Sequence, residues 1–330
     1  MDKIRIICVG LGSRGWWPLK ISKRRNDIEI VGLVEPREEF LQKGIEFLGL
    51  PPEKAFTDLG EALKKVPCDG VIVITPPQTH SQLCLQAIEA GKHIIVEKPF
   101  TLSLRESIKV VEEAEKKNVK VVVAQNARYS RLYLTIKRIL EQEIYGRASY
   151  GLFIQNEWRP GVKHVGDIFH SYLWERGIHD FDTLRSFLGD PEKISSLSFN
   201  PTWSPYRHGA GNIAWLIFKN KVVFNCFFCF ASSFSSRELM IDCDKGGLTL
   251  ENGNLYFQER GKQEKLEIPL DEHIASEEKI WELFTRYVLF DEEPPVSGKN
   301  NLKTISLIEA LMFSSDNQVI VDFGQFSKGL

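Results

Sequence analysis

The chain has 330 residues, of which 43% are hydrophobic and 26% charged, and its formal net charge is −2 at pH 7. This length allows two hydrophobic cores, while the small net charge and the lack of a basic cluster argue against nucleic-acid binding. No segment approaches the roughly twenty apolar residues that cross a bilayer, and the N-terminus shows no signal-peptide pattern. We therefore expect a cytoplasmic protein with no membrane partner.

Residues 1–125 alternate between apolar runs and amphipathic helix patterns. The runs are rich in Val and Ile, as in strands buried on both faces of a parallel sheet: 4–9, 28–34, 71–74, 93–96 and 120–124. Two helix starts are marked by capping-box pairs, Asp58 with Glu61 and Ser103 with Glu106. Strands that alternate with helices predict an α/β fold whose N-terminal Rossmann domain has a doubly wound parallel sheet.

After Gln125 the pattern changes. Strand-like runs now follow one another on short links, at 194–199, 212–218, 221–230, 239–243 and 254–257. The link 219–221 is typical of a hairpin. Residues 126–330 are therefore predicted to form an α+β domain with an open, mainly antiparallel sheet, closed by two helices near the C-terminus.

The strands of this second domain carry many large apolar side chains: Trp215, Phe218, Phe224, Phe227, Phe228 and Phe230. Successive side chains of a strand point to opposite faces, so both faces of part of the sheet are expected to be apolar. One face can pack on helices of the same domain, and the other needs a partner. We predict a homodimer or homotetramer joined through this sheet.

Two spacings resemble redox or metal sites, and neither predicts one. Cys226 and Cys229 have CxxC spacing but lie on a predicted strand, where residues three apart point to opposite faces. They are expected to be buried free thiols. His164, Asp167 and His170 form a loop HxxDxxH pattern, which is a weak signal, and we predict no metal.

A glycine-rich segment, Gly10-Leu11-Gly12-Ser13-Arg14-Gly15, follows the first strand directly and opens a helix. In a dinucleotide site the first glycine permits a tight turn, the second lets the backbone approach the pyrophosphate, and the third allows close packing of helix and strand. The alternative is an ordinary glycine turn. The segment predicts a phosphate cradle that includes Ser13 and Arg14.

Two charged residues follow the second strand. Glu35 lies about twenty residues after the glycines, where a carboxylate binds the ribose hydroxyls of the adenosine. A carboxylate there repels a 2′-phosphate, so NAD is the expected cofactor. Arg37 could bind that phosphate, which keeps NADP open.

More specific motifs lie further along. They are 69–80 (DGVIVITPPQTH), 87–93 (AIEAGKH), Glu97-Lys98-Pro99, Arg128-Tyr129, Gly177-Ile178-His179, and 296–298 through 308–310. Their order and content resemble the Gfo/Idh/MocA family of oxidoreductases, which includes glucose–fructose oxidoreductase and inositol dehydrogenase. The resemblance runs the full length and implies a Rossmann domain followed by a domain for substrate binding and oligomerisation.

In the first domain the resemblance places Thr75, Pro76 and His80 near the nicotinamide half of the cofactor. It makes Glu97 a cofactor-site residue and Lys98 the active-site lysine, touching both cofactor and substrate, and it implies a cis Lys98–Pro99 peptide bond. Considered without the family, Lys98 lies just beyond the carboxyl end of a strand, where α/β sheets bind ligands. A solvated surface lysine is the alternative there.

In the second domain the family motif Asp-x-x-x-His has the counterpart Glu175-Arg176-Gly177-Ile178-His179. The histidine is kept and the aspartate is replaced by glutamate. We predict that His179, assisted by Glu175 and Lys98, takes the proton of the substrate hydroxyl, with Asp182 orienting the imidazole. By itself His179 could equally be a core histidine.

Aromatic and polar residues between the two motifs suit a polyhydroxylated ligand: Trp158, Arg159, His164, Asp167, His170, Tyr172 and Trp174. An interface patch is the alternative. Trp158 and Arg159, with Lys98 and His179, are the predicted substrate-binding residues.

The expected activity is hydride transfer between NAD(P) and a carbinol carbon of a sugar, inositol or related polyol. NAD-assisted glycoside hydrolysis and a non-catalytic, dinucleotide-binding regulator are the alternatives. Retention of Lys98 and His179 argues against the regulator.

Overall fold

The computed structural model describes residues 3–161, 167–272 and 275–328, and the chain divides into two units. The first comprises 1–126 and 275–305, and the second comprises 127–274 and 306–330. All of 126–330 was predicted to form the second domain, whereas 275–305 groups with the first unit. Backbone pairing is the reason, since the N–H of Val123 donates to the carbonyl of Val296 at 2.9 Å and Val122 forms a β-bridge with Ser297.

The described part of the first unit contains a parallel sheet of six strands in the order β3-β2-β1-β4-β5-β6. Its strands are β1 (Ile4–Val9), β2 (Ile28–Val34), β3 (Ala55–Phe56), β4 (Gly70–Val73), β5 (His93–Val96) and β6 (Val121–Val123). The prediction of a doubly wound parallel sheet is confirmed. The two-residue strand β3 was not predicted, because it is too short to show a pattern. The strand order reverses between β1 and β4, where α/β sheets bind their ligands.

Helices connect these strands: α1 (Trp16–Ser22), α2 (Glu38–Leu48), α3 (Leu59–Lys65), α4 (His80–Glu89) and α5 (Leu104–Lys116). Both predicted N-caps are confirmed. The side chain of Asp58 accepts from the N–H of Glu61 at 2.9 Å, and that of Ser103 accepts from the N–H of Glu106 at 3.2 Å. Each cap satisfies a backbone donor that a helix start leaves without an intrahelical partner.

In the second unit, helix α6 (Arg131–Glu141) precedes strand β7 (Ala148–Trp158), and helix α7 (Ile178–Leu188) follows a π-helical turn at Leu173–Gly177. The remaining strands are β8 (Pro191–Phe199), β9 (Gly211–Phe218), β10 (Val223–Cys229), β11 (Ala231–Cys243), β12 (Gly246–Glu251), β13 (Asn254–Glu259), β14 (Lys265–Ile268) and β15 (Val321–Asp322). Helices α8 (Ser276–Phe290), α9 (Gly298–Asn317) and α10 (Phe323–Phe326) complete the described chain.

The strands of the second unit form one sheet, in the order β14-β13-β12-β11-β7-β10-β9-β8-β15 as far as the structure describes it. Strand β10 runs parallel to β7, and the other pairs given by the register are antiparallel. The predicted mainly antiparallel sheet is confirmed, as is the hairpin at 219–221, which joins β9 to β10.

The two faces of this sheet differ in exposure. Along β10, Phe224 and Phe228 are fully buried, whereas Phe227 points to the opposite face and is 38% exposed. Cys226 and Cys229 are both buried free thiols, so that prediction is confirmed. Burial raises the pKa of both thiols, which keeps them protonated and unreactive. In the described residues, no helix combines the length and apolar character of a bilayer span.

Candidate functional site

The glycine segment turns sharply after β1, at the point where the strand order reverses. Gly10 has φ +93°, and a Cβ on it would lie 2.1 Å from the carbonyl oxygen of Ile74. A Cβ on Gly15 would lie 2.2 Å from the carbonyl oxygen of Gly10. Both positions therefore require glycine to close the turn between β1 and α1.

Gly12 has a different environment. The nearest atom to a Cβ built on it is a guanidinium nitrogen of Arg37, at 3.5 Å. No backbone contact of the turn requires a glycine there, so the missing side chain leaves room beside the loop. Ser13 and Arg14, the next two residues, are exposed. Such an open cradle fits a pyrophosphate that approaches the main chain.

Glu35 lies buried beside this cradle, with 4% of its surface exposed. Its carboxylate accepts hydrogen bonds from the N–H of Leu11 at 2.8 Å and from Nε of Arg37 at 2.7 Å. Burial by itself would raise the pKa of Glu35, but the hydrogen bonds from Arg37 and Leu11 outweigh it and lower the pKa. Glu35 is therefore a fixed anion. Arg37 also lies over the ring of Phe40, 3.9 Å from its centre.

A second ion pair joins the glycine segment to the end of β5. Arg14 donates to one carboxylate oxygen of Glu97 at 2.8 Å, and the indole N–H of Trp17 donates to the same oxygen at 3.3 Å. The other oxygen accepts from the N–H of Lys98 at 2.9 Å. Glu97 thus positions the loop that carries Lys98. Trp17, which had been given no role from the sequence, is one of the two side chains that hold Glu97.

Lys98 itself is half-buried in the turn that follows β5, at the carboxyl end of the parallel sheet. The peptide bond between Lys98 and Pro99 is cis, as the resemblance implied.

His80 joins the loop after β4 to the loop after β5. It is fully buried, with Nδ1 2.8 Å from the carbonyl oxygen of Pro99 and Nε2 2.9 Å from that of Thr75. Burial lowers the pKa of His80, although the two carbonyl oxygens oppose that shift. Both ring nitrogens are therefore occupied by main-chain contacts, and the histidine holds together the loops that carry Thr75, Pro76 and Lys98.

In the second unit, Glu175 lies in the π-helical turn and His179 in the first turn of α7, and both are half-buried. The turn that carries Glu175 ends at Gly177 and is wider than an α-helical turn, because its hydrogen bonds span five residues rather than four. The carboxylate of Glu175 accepts from Arg159 at 2.8 Å.

Asp182 follows His179 on α7 and is buried. Its carboxylate accepts from Nε and Nη2 of Arg128 at 2.7 and 2.5 Å. Burial opposes the charge of Arg128, but the interaction with Asp182 outweighs it and raises the pKa of Arg128. Arg128 had been noted within a motif and given no role, and the structure makes it the partner that fixes Asp182.

The predicted cluster of aromatic and polar residues divides into separate environments. Trp158 is 53% exposed at the end of β7, and Arg159 next to it lies over the ring of Phe230 and pairs with Glu175. Tyr172 and Trp174 are core residues with 0% and 2% exposure, so they do not line a surface site.

The remaining members of the predicted cluster are His164, Asp167 and His170, the residues of the HxxDxxH pattern. His164 lies outside the described residues. Among the residues that the structure describes, no group of three or more His, Cys, Asp or Glu side chains could hold a metal ion.

Comparison with known proteins finds a family match within the first unit. Residues 4–125 match the model of the oxidoreductase family with an NAD-binding Rossmann fold, GFO_IDH_MocA. The match covers this stretch of the chain, which is similar to that family. NAD is therefore the cofactor class of the Rossmann unit, in agreement with the cradle and the buried Glu35.

Curated relatives extend the similarity beyond that unit. The scyllo-inositol 2-dehydrogenase (NAD(+)) of Bacillus subtilis is 31% identical over 201 residues, 59% of this chain and 56% of that protein. The myo-inositol 2-dehydrogenase of Thermotoga maritima is 28% identical over 187 residues, 57% of this chain and 55% of that protein. The matched segments thus span little more than half of these relatives.

The fold resembles solved structures over nearly the whole chain. Aldose-aldose oxidoreductase from Caulobacter crescentus superposes with a TM-score of 0.87 at 17% identity, covering 97% of this chain and 100% of that one. At this identity the likeness concerns the fold.

Proposed function

We propose that this protein is an NAD-dependent oxidoreductase that transfers a hydride between nicotinamide and a carbinol carbon of a sugar, inositol or related polyol. The observation that carries the proposal is the open cradle at Gly12 beside the buried carboxylate of Glu35. Support for the substrate class comes from the two inositol dehydrogenases that the chain resembles.

When bound, the dinucleotide would supply the hydride acceptor or donor. The chain's own residues would take up the hydroxyl proton and stabilise the negative charge on the substrate oxygen. Oxidation of a carbinol removes a hydride from carbon and a proton from oxygen. We assign the proton to the imidazole of His179 and stabilisation of the developing alkoxide to the ammonium of Lys98. Glu175, held by Arg159, is assigned a supporting role near His179, and Trp158 and Arg159 are assigned contacts with the substrate.

NAD is proposed as the preferred cofactor over NADP. The carboxylate of Glu35 is fixed by Leu11 and Arg37, so it cannot turn away from an added 2′-phosphate without losing both contacts. Arg37, the residue that could attract this phosphate, already donates to Glu35. A titration in which NADP binds tenfold more tightly than NAD, about 1.4 kcal/mol, would contradict this assignment.

The experiment that tests the proposal is a substrate screen of the purified protein. NAD and NADP are each combined with inositols, aldoses, polyols and sugar acids, and the absorbance of the reduced nicotinamide is followed. Net reduction with a polyol supports the dehydrogenase. Cleavage of a glycoside without net reduction would replace it with NAD-assisted hydrolysis, and cofactor binding without turnover on any substrate would favour a regulator.

A second copy of the chain is the proposed partner for the exposed face of the large sheet. Ile213, Phe227 and Ile154 are cross-strand neighbours on β9, β10 and β7, with Ile213 41% and Phe227 38% exposed. A row of apolar side chains on one face is typical of an interface. We expect light scattering to give a dimer or tetramer at micromolar concentration, and Ile213→Asp with Phe227→Asp to shift it to monomer. A monomeric wild-type protein would contradict this.

A further inference from the structure

A serine, a histidine and an aspartate form a continuous hydrogen-bonded chain in the second unit. The Oγ of Ser198, near the end of β8, lies 2.8 Å from Nδ1 of His170. Nε2 of the same ring lies 3.1 and 3.3 Å from the two carboxylate oxygens of Asp316, on the last turn of α9. Neither Ser198 nor Asp316 has a role in the hydride transfer proposed for this protein.

The directions of these hydrogen bonds follow from the chemistry of the groups. A carboxylate can only accept, so Nε2 of His170 carries a proton and donates it to Asp316. In the neutral ring Nδ1 is then an acceptor, and it takes the hydroxyl proton of Ser198. The amide of the buried Asn212 donates to Ser198 Oγ at 3.3 Å, and this bond orients the oxygen so that its own proton points to the imidazole.

This arrangement matches the roles of a nucleophile, a general base and an orienting carboxylate. The two ring nitrogens are exchanged relative to serine proteases, in which Nε2 faces the serine, but the proton path from hydroxyl to imidazole is the same. Nucleophilic triads are recognised by such roles rather than by sequence order.

The three residues line one cavity of about 400 Å³. Apolar side chains line part of its wall, from Phe169, Leu197 and Phe199, and Arg207 lines it as well. The cavity thus combines an apolar part of its wall with several polar groups, and its volume is in the range of small-molecule sites.

The backbone at His170 is also held in an uncommon conformation. His170 is buried and has φ +55°, in the left-handed region. A Cβ on Gly209 would lie 2.9 Å from the Cα of His170, so the two segments are packed backbone against backbone. Strained residues of this kind persist where the surrounding structure enforces them, and they concentrate at functional sites.

We propose that this cavity is a second catalytic site, an esterase centre in which Ser198 is the nucleophile, and that its substrates are small carboxylic esters with an apolar acyl group. Ser198 Oγ bonds to the ester carbonyl carbon while its proton passes to Nδ1 of His170. The carbon–oxygen bond then breaks, and the departing alcohol takes that proton. Water repeats the sequence on the acyl-serine, which releases the acid and restores Ser198. Stabilisation of the charge that develops on the carbonyl oxygen is assigned to Arg207, which lines the cavity.

The test uses covalent labelling and ester hydrolysis on the intact protein. A fluorophosphonate should label the wild type at Ser198, located by mass spectrometry, and Ser198→Ala should not be labelled. Ser195→Ala is the matched control, since Ser195 lies on the same strand with its side chain on the opposite face, and it should label like the wild type. Hydrolysis of p-nitrophenyl acetate should fall about a hundredfold or more in Ser198→Ala.

His170→Asn tests the base, because asparagine tolerates the left-handed backbone and cannot take the proton. It should abolish labelling while the thermal unfolding of the whole protein stays like that of the wild type, which separates loss of the site from loss of the fold. A wild type that is not labelled, or that hydrolyses the ester no faster than Ser198→Ala, would overturn the proposal. Neither result depends on whether the protein oxidises polyols.

Discussion

The cradle of the Rossmann unit and the residues around α7 in the second unit hold their functional groups by different means. In the first, main-chain atoms contribute beside the side chains: Glu35 accepts from the N–H of Leu11 as well as from Arg37, and His80 lies between the carbonyls of Thr75 and Pro99. In the second, side chains from distant segments provide the contacts, as Arg128 binds Asp182 and Arg159 binds Glu175. A main-chain contact survives the replacement of a neighbouring side chain, whereas an ion pair is lost when either of its two side chains is replaced. A single substitution should therefore disturb the second region more.

The largest effect is expected for Arg128→Met. It removes the bidentate partner of the buried carboxylate of Asp182 and leaves the longer pair with Arg185, whose Nη1 lies 3.8 Å away. Removing one partner of a buried pair costs up to about 3–5 kcal/mol. Urea unfolding of the purified variant measures the loss. The double variant with Asp182→Asn removes the buried charge and should recover part of the stability. If Arg128→Met unfolds like the wild type, the pair does not hold this region together.

Next in size are the substitutions of the proposed catalytic groups, one in each region. Lys98→Ala and His179→Ala should each lower turnover on the best substrate about a hundredfold or more, the usual scale for general acid–base groups. NAD affinity should stay nearly unchanged. Lys117→Ala, at an exposed position of the first unit, is the control and should behave as the wild type. Near-normal turnover in His179→Ala would place the base elsewhere, with Lys98 as the first candidate.

Substitutions of Gly10 and Gly12 in the cradle are expected to differ in their effects on protein stability and on NAD affinity. Gly10→Ala forces a side chain against the carbonyl of Ile74, so we expect a loss of at least about 1–3 kcal/mol in the free energy of unfolding. A Cβ on Gly12 meets no backbone atom within 4 Å, so Gly12→Ala should leave stability nearly intact while it weakens NAD binding. Thermal unfolding and NAD titration of both variants check this contrast. Unchanged NAD affinity in the Gly12 variant would remove Gly12 from the binding site, and equal loss of stability in both variants would contradict the contrast.

The smallest effect is expected for Glu35→Gln. The amide keeps an acceptor for Leu11 but removes the negative charge and frees Arg37 from its ion pair. The ratio of NAD to NADP affinity should move toward NADP by about tenfold, or 1.4 kcal/mol. Glu38→Gln, on the exposed first turn of α2, is the matched control and should leave the ratio unchanged. An unchanged ratio in Glu35→Gln would show that other residues set the preference.

The regions also differ in how far the sequence predicts them. Strands β1, β2 and β5 lie at the predicted residues, because buried parallel strands are continuous apolar runs bounded by turns. The caps at Asp58 and Ser103 were predicted because each bond spans three residues. In the second unit, Tyr172 and Trp174 were expected at a ligand surface and are buried in the core. The residue type alone does not tell whether such a side chain points to the core or to the surface.

The sequence by itself determined the parallel sheet, the glycine turn and the place of Glu35, because each follows from contacts between residues close along the chain or from a regular apolar pattern. Tertiary structure alone decided that Arg128 binds Asp182, that Ser198, His170 and Asp316 share one cavity, and that 275–305 packs with the first unit. In the serine site, His170 is 28 positions from Ser198 and 146 positions from Asp316. The ion pair joins residues 54 positions apart, and the bridge between Val122 and Ser297 joins residues more than 170 apart. No local spacing encodes such distances, so they arise only once the chain has folded.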